Sequence, residues 1–155
     1  MEEIRLDMTF KRLKTVALSV DDSRLRDAAI QAAKRAYAPY SHFNVGAAVL
    51  LTDGTIVEGN NQENMAYPSG LCAERVALFS AGACFPDIPV EALAIVAIKN
   101  GTIQSSIAPC GGCRQVMLET EQRYGRPIRI LLCGKDATIL IPSALDLLPL
   151  SFNLI

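Results

Sequence analysis

The chain has 155 residues, half of them hydrophobic, a net charge of −1 and a single histidine, enough for one domain over residues 1–155 with a sizeable core. No apolar run approaches the roughly 18 residues of a membrane span, and the balanced charge offers no basic face for a polyanion, so neither a membrane nor a nucleic acid is expected as partner. Five cysteines is an odd number, and Glu2 and Glu3 stand where an export signal would carry basic residues, which points to a cytoplasmic chain whose reduced thiols serve a metal rather than disulfides.

In chain order, residues 1–20 show no clean period, although Ile4, Leu6, Met8 and Phe10 alternate with polar neighbours and fit at most a short edge segment. Asp21-Asp22-Ser23 has the short polar and acidic side chains of a helix start. Leu25, Ala28, Ala29, Ala32, Ala33 and Ala36 then recur at helical spacing. That small-residue stripe lets the helix lie close on a sheet, and Pro39 ends it. Val45–Leu51 reads as a buried strand, Asp53-Gly54 as a two-residue turn, and Thr55–Glu58 as the returning strand. The polar run from Asn60 to Asn64 follows a strand end, where ligand loops tend to sit.

Ala73–Ala83 reads as a helix with Val76, Ala77, Phe79 and Ser80 at core-like positions. Glu91–Lys99 is dense in Ala, Ile and Val and reads as a central strand covered on both faces. Residues 101–108 form a loop. Gly112–Tyr124 is a helix closed by Gly125. Ile128–Cys133 and Ala137–Ile141 are strands joined by a turn too short for anything but an antiparallel pair. The order α-β-β-α-β-α-β-β predicts an α/β fold, a three-layer α/β/α sandwich with a mixed five-stranded sheet.

Two stretches carry the chemistry: Cys72-Ala73-Glu74-Arg75 and Pro109-Cys110-Gly111-Gly112-Cys113-Arg114. Three thiols fill three tetrahedral positions of a Zn²⁺ and leave the fourth for water. Glu74 is too close to Cys72 in sequence to bind the same metal comfortably, and is well placed to handle the protons of that water. Both stretches open helices, whose positive ends favour thiolates. Arg75 and Arg114 lie beside the site and can donate to thiolate sulfur.

Cys-x-Glu followed by Pro-Cys-x-x-Cys is the pattern of zinc deaminases. Further stretches make the chain similar to the small, homotetrameric cytidine deaminases. They are Ala-Tyr-x-Pro-Tyr-Ser-x-Phe at 36–43, Val-Gly-Ala-Ala at 45–48, Gly-x-Asn-x-Glu-Asn at 59–64 with Tyr67, and Leu-Leu-Pro-x-Ser-Phe at 147–152. The resemblance implies a cytidine deaminase-like fold in which Cys72, Cys110 and Cys113 hold Zn²⁺ and Glu74 shuttles protons. It implies that Asn61 and Glu63 bind the ribose hydroxyls, that Phe43 stacks on the pyrimidine, and that the backbone at Ala73 reads the base edge. Tyr67 and Phe152 would reach a neighbouring subunit's site, so active sites would be shared within a homotetramer. The implied reaction is hydrolysis of cytidine, and of 2′-deoxycytidine, to uridine or deoxyuridine and ammonia, in pyrimidine salvage. Gln62, Asn44 and Thr120 depart from the pattern, and none is a zinc or proton position.

Other readings compete. Cys110 and Cys113 alone would suit a redox pair, and three thiols would suit a structural zinc given a fourth ligand; the spare thiols, Cys84 and Cys133, read as core residues. Phe43 read without the family is a core aromatic, and His42 a solvated turn residue. A relative acting on another cytosine-bearing small molecule remains an alternative, as does a non-catalytic zinc-stabilised module. A nucleotide enzyme would want a Lys or Arg cluster by the sugar loop, and residues 59–70 contain none.

Overall fold

In the computed structural model, which describes residues 1–152, the chain runs β1 (Lys11–Lys14), α1 (Val20–Lys34), β2 (Phe43–Leu51), β3 (Ile56–Asn60) and α2 (Ala73–Cys84). It continues through β4 (Val90–Lys99), β5 (Thr102–Ile103), α3 (Gly111–Tyr124), β6 (Arg129–Cys133) and β7 (Ala137–Ile141). The strands form one sheet in the order β1-β7-β6-β4-β2-β3, with β5 also on β4. Among the described residues, the one parallel pair of strands is β4 and β6, and α3 lies in the crossover between them. The sheet is mixed, as expected, but has seven strands rather than five. The two additions, β1 and β5, are short pieces whose pairing with β7 and β4 is a tertiary event that four and two residues of sequence do not announce. No helix among the described residues is long and apolar enough to cross a membrane.

The pleat sends successive side chains to opposite faces, which builds two cores. Ala48, Ala92, Ala94, Val96 and Leu131 pack with Leu25 and Ala29 of α1. Ala47, Val49, Leu93, Ile95, Ile130 and Leu132 pack on the other face with Ala73, Ala77 and Leu78 of α2 and Met117 of α3. The result is the expected three layers. Both helix–sheet contacts are unusually close. A Cβ at Gly46 would lie 2.0 Å from the Ala29 carbonyl oxygen, and one at Gly59 would lie 2.4 Å from the Ala77 nitrogen. Glycine in these strands lets helix backbone approach strand backbone.

Three local expectations change. Helix α1 starts at Val20, just ahead of the expected Asp21-Asp22-Ser23, with Ser19 Oγ accepting from Asp22 N at 3.1 Å. It ends at Lys34, well before Pro39, because Asn60 and Asn44 on the sheet donate side-chain amides to the carbonyls of Ala32 and Ala33, at 3.1 and 3.2 Å. Helix α2 presents Ala73, Glu74, Ala77, Leu78 and Ala81 inward. Phe79, expected in the core, is 51% exposed.

Candidate active site

Cys72 is the N-cap of α2 and Cys110 the N-cap of α3, with Cys110 Sγ accepting from Cys113 N at 3.4 Å. The parallel pair β4/β6 and the crossing helix α3 put these two helix starts at one place. Cys72 Sγ and Cys110 Sγ are 3.9 Å apart, and the sulfurs of Cys72, Cys110 and Cys113 all lie within 4.8 Å of one another. Three sulfurs at 2.3 Å from a tetrahedral Zn²⁺ stand about 3.8 Å apart, so the donor set fits zinc. Among the described residues, the metal-competent group here consists of these three thiols. Cys133 belongs to the core on the α1 face, and Cys84 is exposed at the far end of α2.

The charges around the thiols are organised. A hydrogen bond from Cys113 holds the Cys72 thiol down to about 5 against the opposing effect of burial, with Arg75 beside it. The same bond, with burial and the nearby Glu74 charge, pushes the Cys113 thiol up. Arg75 Nη2 points at Cys72 Sγ, 3.8 Å away. Arg114 behaves otherwise than expected. Its guanidinium donates to the carbonyls of Pro109 (2.9 Å) and Leu147 (3.0 Å), tying the start of α3 to the C-terminal segment instead of reaching sulfur. Glu74 is 5% exposed, and burial raises its carboxyl above the ordinary range, with the Cys72 charge acting in the same direction.

Beside the thiols opens a cleft of about 440 Å³ lined by Tyr40, Ser41, Asn61, Gln62, Glu63, Asn64, Tyr67, Leu71, Cys72 and Arg75. Asn61 Oδ1 accepts from Val45 N (2.7 Å) and its Nδ2 donates to Phe43 O (3.0 Å). Glu63 accepts from the amides of Tyr40 (2.9 Å) and Ser41 (3.3 Å) and from the Ser41 hydroxyl. That hydroxyl is the first cause holding the Glu63 carboxyl below its usual range. Tyr67, which the resemblance directs to a neighbour's site, lines the cleft of its own chain and is 77% exposed. Phe43 heads β2 half-buried and is not among the residues lining the cleft. Ala73 is wholly buried in the first turn of α2, and Phe152 is 80% exposed.

Three residues escaped the sequence reading. Ser41 appears there only as part of a motif. Gln115 Nε2 donates to Phe152 O at 2.8 Å and anchors the C-terminal segment on α3. Buried Glu121 collects the amides of Ile128 (2.6 Å) and Ala144 (2.7 Å) and the Ser143 hydroxyl. The signal for Glu121 was available: it continues the stripe Cys113, Met117 at intervals of four on the inward face of α3. Of the departures, Asn44 caps α1, Gln62 Nε2 donates to Asn60 Oδ1, and Thr120 Oγ1 donates to the Val116 carbonyl at 2.8 Å.

The family model described as the cytidine and deoxycytidylate deaminase zinc-binding region matches residues 19–124. A cytidine deaminase of Mycobacterium tuberculosis is 40% identical over 142 residues, 87% of this chain and 92% of its own. One from Halalkalibacterium halodurans is 43% identical over 100 residues, 64% of this chain and 72% of its own. The crystal structure of cytidine deaminase from Burkholderia pseudomallei superposes with a TM-score of 0.71 at 43% identity, covering 84% of this chain and 98% of that one. With its three grouped thiols and Glu74 inside the matched region, this chain belongs to the cytidine and deoxycytidylate deaminase family and carries that family's zinc-binding region.

Proposed function

We propose that this chain hydrolytically deaminates cytidine, and 2′-deoxycytidine, to uridine or deoxyuridine and ammonia, as a step of pyrimidine salvage in the cytoplasm. The observation that carries the reading is a zinc-sized group of three thiols at two helix starts, with a buried carboxyl, Glu74, in the first turn of α2. Cys72, Cys110 and Cys113 would hold Zn²⁺, which would supply Lewis-acid activation of a water.

The chain's own residues do the rest. Glu74 takes a proton from the attacking water and delivers it to ring N3, which makes C4 electrophilic. It then takes the second proton of that water from the oxygen now on C4 and passes it to the amino nitrogen, so the C4–N bond breaks, ammonia leaves and the oxygen becomes the C4 carbonyl. A carboxyl raised by burial suits a group that must accept and return protons near neutrality. Arg75 steadies the Cys72 thiolate, and the amide of Ala73 reads the base edge. Phe43 stacks on the base by turning into the cleft from the head of β2. Asn61 and Glu63 take the ribose hydroxyls. The sugar side carries a carboxylate and no cation in residues 59–70, which favours a nucleoside over its phosphates.

The whole chain acts as one domain in a homotetramer, with Phe152 and Tyr67 facing a neighbour; their 80% and 77% exposure leaves both free to do so. Sedimentation of a fully active monomer would remove that part of the reading. The activity itself is tested by adding zinc-loaded protein to cytidine, CMP and a cytosine-bearing oligonucleotide. Loss of cytidine absorbance with equimolar ammonia is expected. Preference for CMP or the oligonucleotide would point to a different cytosine substrate, and no turnover at all to a non-catalytic zinc module.

A further inference from the structure

We propose that Ser41 is a positioning residue for ribose recognition, aligning the Glu63 carboxylate through a bond that also fixes the backbone at Phe43. The inference rests on the deaminase reading above and deepens it at the sugar side of the cleft.

The Ser41 hydroxyl makes two bonds at once. It donates to Glu63 Oε1 and accepts from Phe43 N at 3.1 Å. The other carboxylate oxygen, Oε2, accepts from the amides of Tyr40 and Ser41. An ionised carboxylate offers about four acceptor positions. Three are filled from within the chain, and the fourth lies on Oε1, the atom that Ser41 holds. Glu63 therefore faces the cleft as an acceptor with one open position, suited to one hydroxyl donor. The segment behind it is itself constrained: His42 adopts a φ of 54°, and its amide bonds back to Ala38 O at 3.1 Å.

Asn61 is fixed from the same segment, through Val45 N and Phe43 O. Residues 40–45 thus set both side chains of the sugar loop. In this clamp every donor from residues 40–45 is a backbone amide except the Ser41 hydroxyl, so Ser41 is where a substitution can release it. Without Oγ, Glu63 keeps its two amide bonds through Oε2, but Oε1 loses the partner that sets its direction. Phe43 N loses its acceptor in the same change, but that bond is exposed and water can replace it, so the base platform stays in place while the sugar contact loses its alignment.

Ligand chemistry separates this role from a merely structural one. The parent, Ser41→Ala and Ser41→Thr are compared on cytidine and on 2′,3′-dideoxycytidine, which lacks the hydroxyls Glu63 and Asn61 would take. Losing a hydrogen bond to a charged acceptor predicts a cytidine KM raised about tenfold in Ser41→Ala, with kcat within about threefold. On the dideoxy substrate kcat/KM should change less than about twofold, because the contact Ser41 aligns is absent. Ser41→Thr, which keeps the oxygen, should restore the cytidine KM to within about threefold. If Ser41→Ala does not fold with full zinc, Ser41→Cys, a weaker donor of similar size, should show the same substrate dependence. An unchanged cytidine KM, or an equal loss on both substrates, overturns the proposal. A parent that leaves cytidine intact removes this and the deaminase reading together, whereas an active parent with an unaffected Ser41→Ala removes this one alone.

Discussion

Alanine at Gly59 tests the packing that delivers the site. Its Cβ would lie 2.4 Å from Ala77 N, 2.7 Å from Ala73 O and 2.8 Å from Ala77 Cα, all backbone atoms of α2. Ordinary carbon contacts begin near 3.5 Å, so α2 must retreat by roughly 1 Å. No rotamer change can absorb this. Overpacking of this kind costs about 1–3 kcal/mol, and backbone on both sides puts Gly59→Ala at the upper end. The same retreat moves Cys72 and Glu74, at the start of α2, against Cys110 and Cys113 on α3. A shift of about 1 Å in a catalytic group can cost about 10²-fold in rate. Urea titration, zinc content and kcat on one preparation read all three effects. A variant within about 0.5 kcal/mol of the parent and within about twofold in kcat would refute the reasoning, because surface-like tolerance at Gly59 is incompatible with that contact.

Two further outcomes follow from buried groups. Glu121→Ala strands the buried amides of Ile128 and Ala144 and should lower stability by about 3 kcal/mol or more; a urea-derived loss below about 1 kcal/mol would contradict that role. Iodoacetamide at mildly alkaline pH should label exposed Cys84 in the zinc-loaded protein and spare Cys133, which is 1% exposed with its thiol pushed up to about 12 by burial. Mass mapping that finds Cys133 labelled as fast as Cys84 would count against its placement.

The zinc thiols were legible because their arrangement is local: Cys110 and Cys113 are one helical turn apart, and each motif opens a helix, so spacing alone predicts a common site once the helix starts meet. Strands β2, β4 and β6 were legible from their apolar density, and α3 from Gly125, which takes the left-handed φ of 61° expected of a helix-closing glycine. What sequence did not carry was set by distant partners. Strand β1 exists through β7 and β5 through β4. The end of α1 is fixed by Asn44 and Asn60, which reach it from the sheet, although its alanine run would continue. The rotation of α2 follows from its close seat on Gly59, which turns Ala73 and Ala77 inward and leaves Phe79 out. Arg114 was misplaced because proximity in sequence to two thiols does not reveal the Leu147 carbonyl, supplied by a segment more than thirty residues later.

The most direct test of the account is the turnover of Glu74→Gln at matched zinc content. Glu74 is no ligand of the metal in this account, so the amide should leave zinc and fold nearly intact and cytidine binding in place. It cannot take the water proton and return it to N3 or the amino nitrogen. General acid–base transfer alone is worth about 10² to 10⁴-fold, and one carboxyl serves several transfers here, so kcat should fall at or beyond the top of that range. Deamination retained within about tenfold of the parent would contradict Glu74 as the proton shuttle, and zinc lost together with the fold would make it part of the structural shell instead.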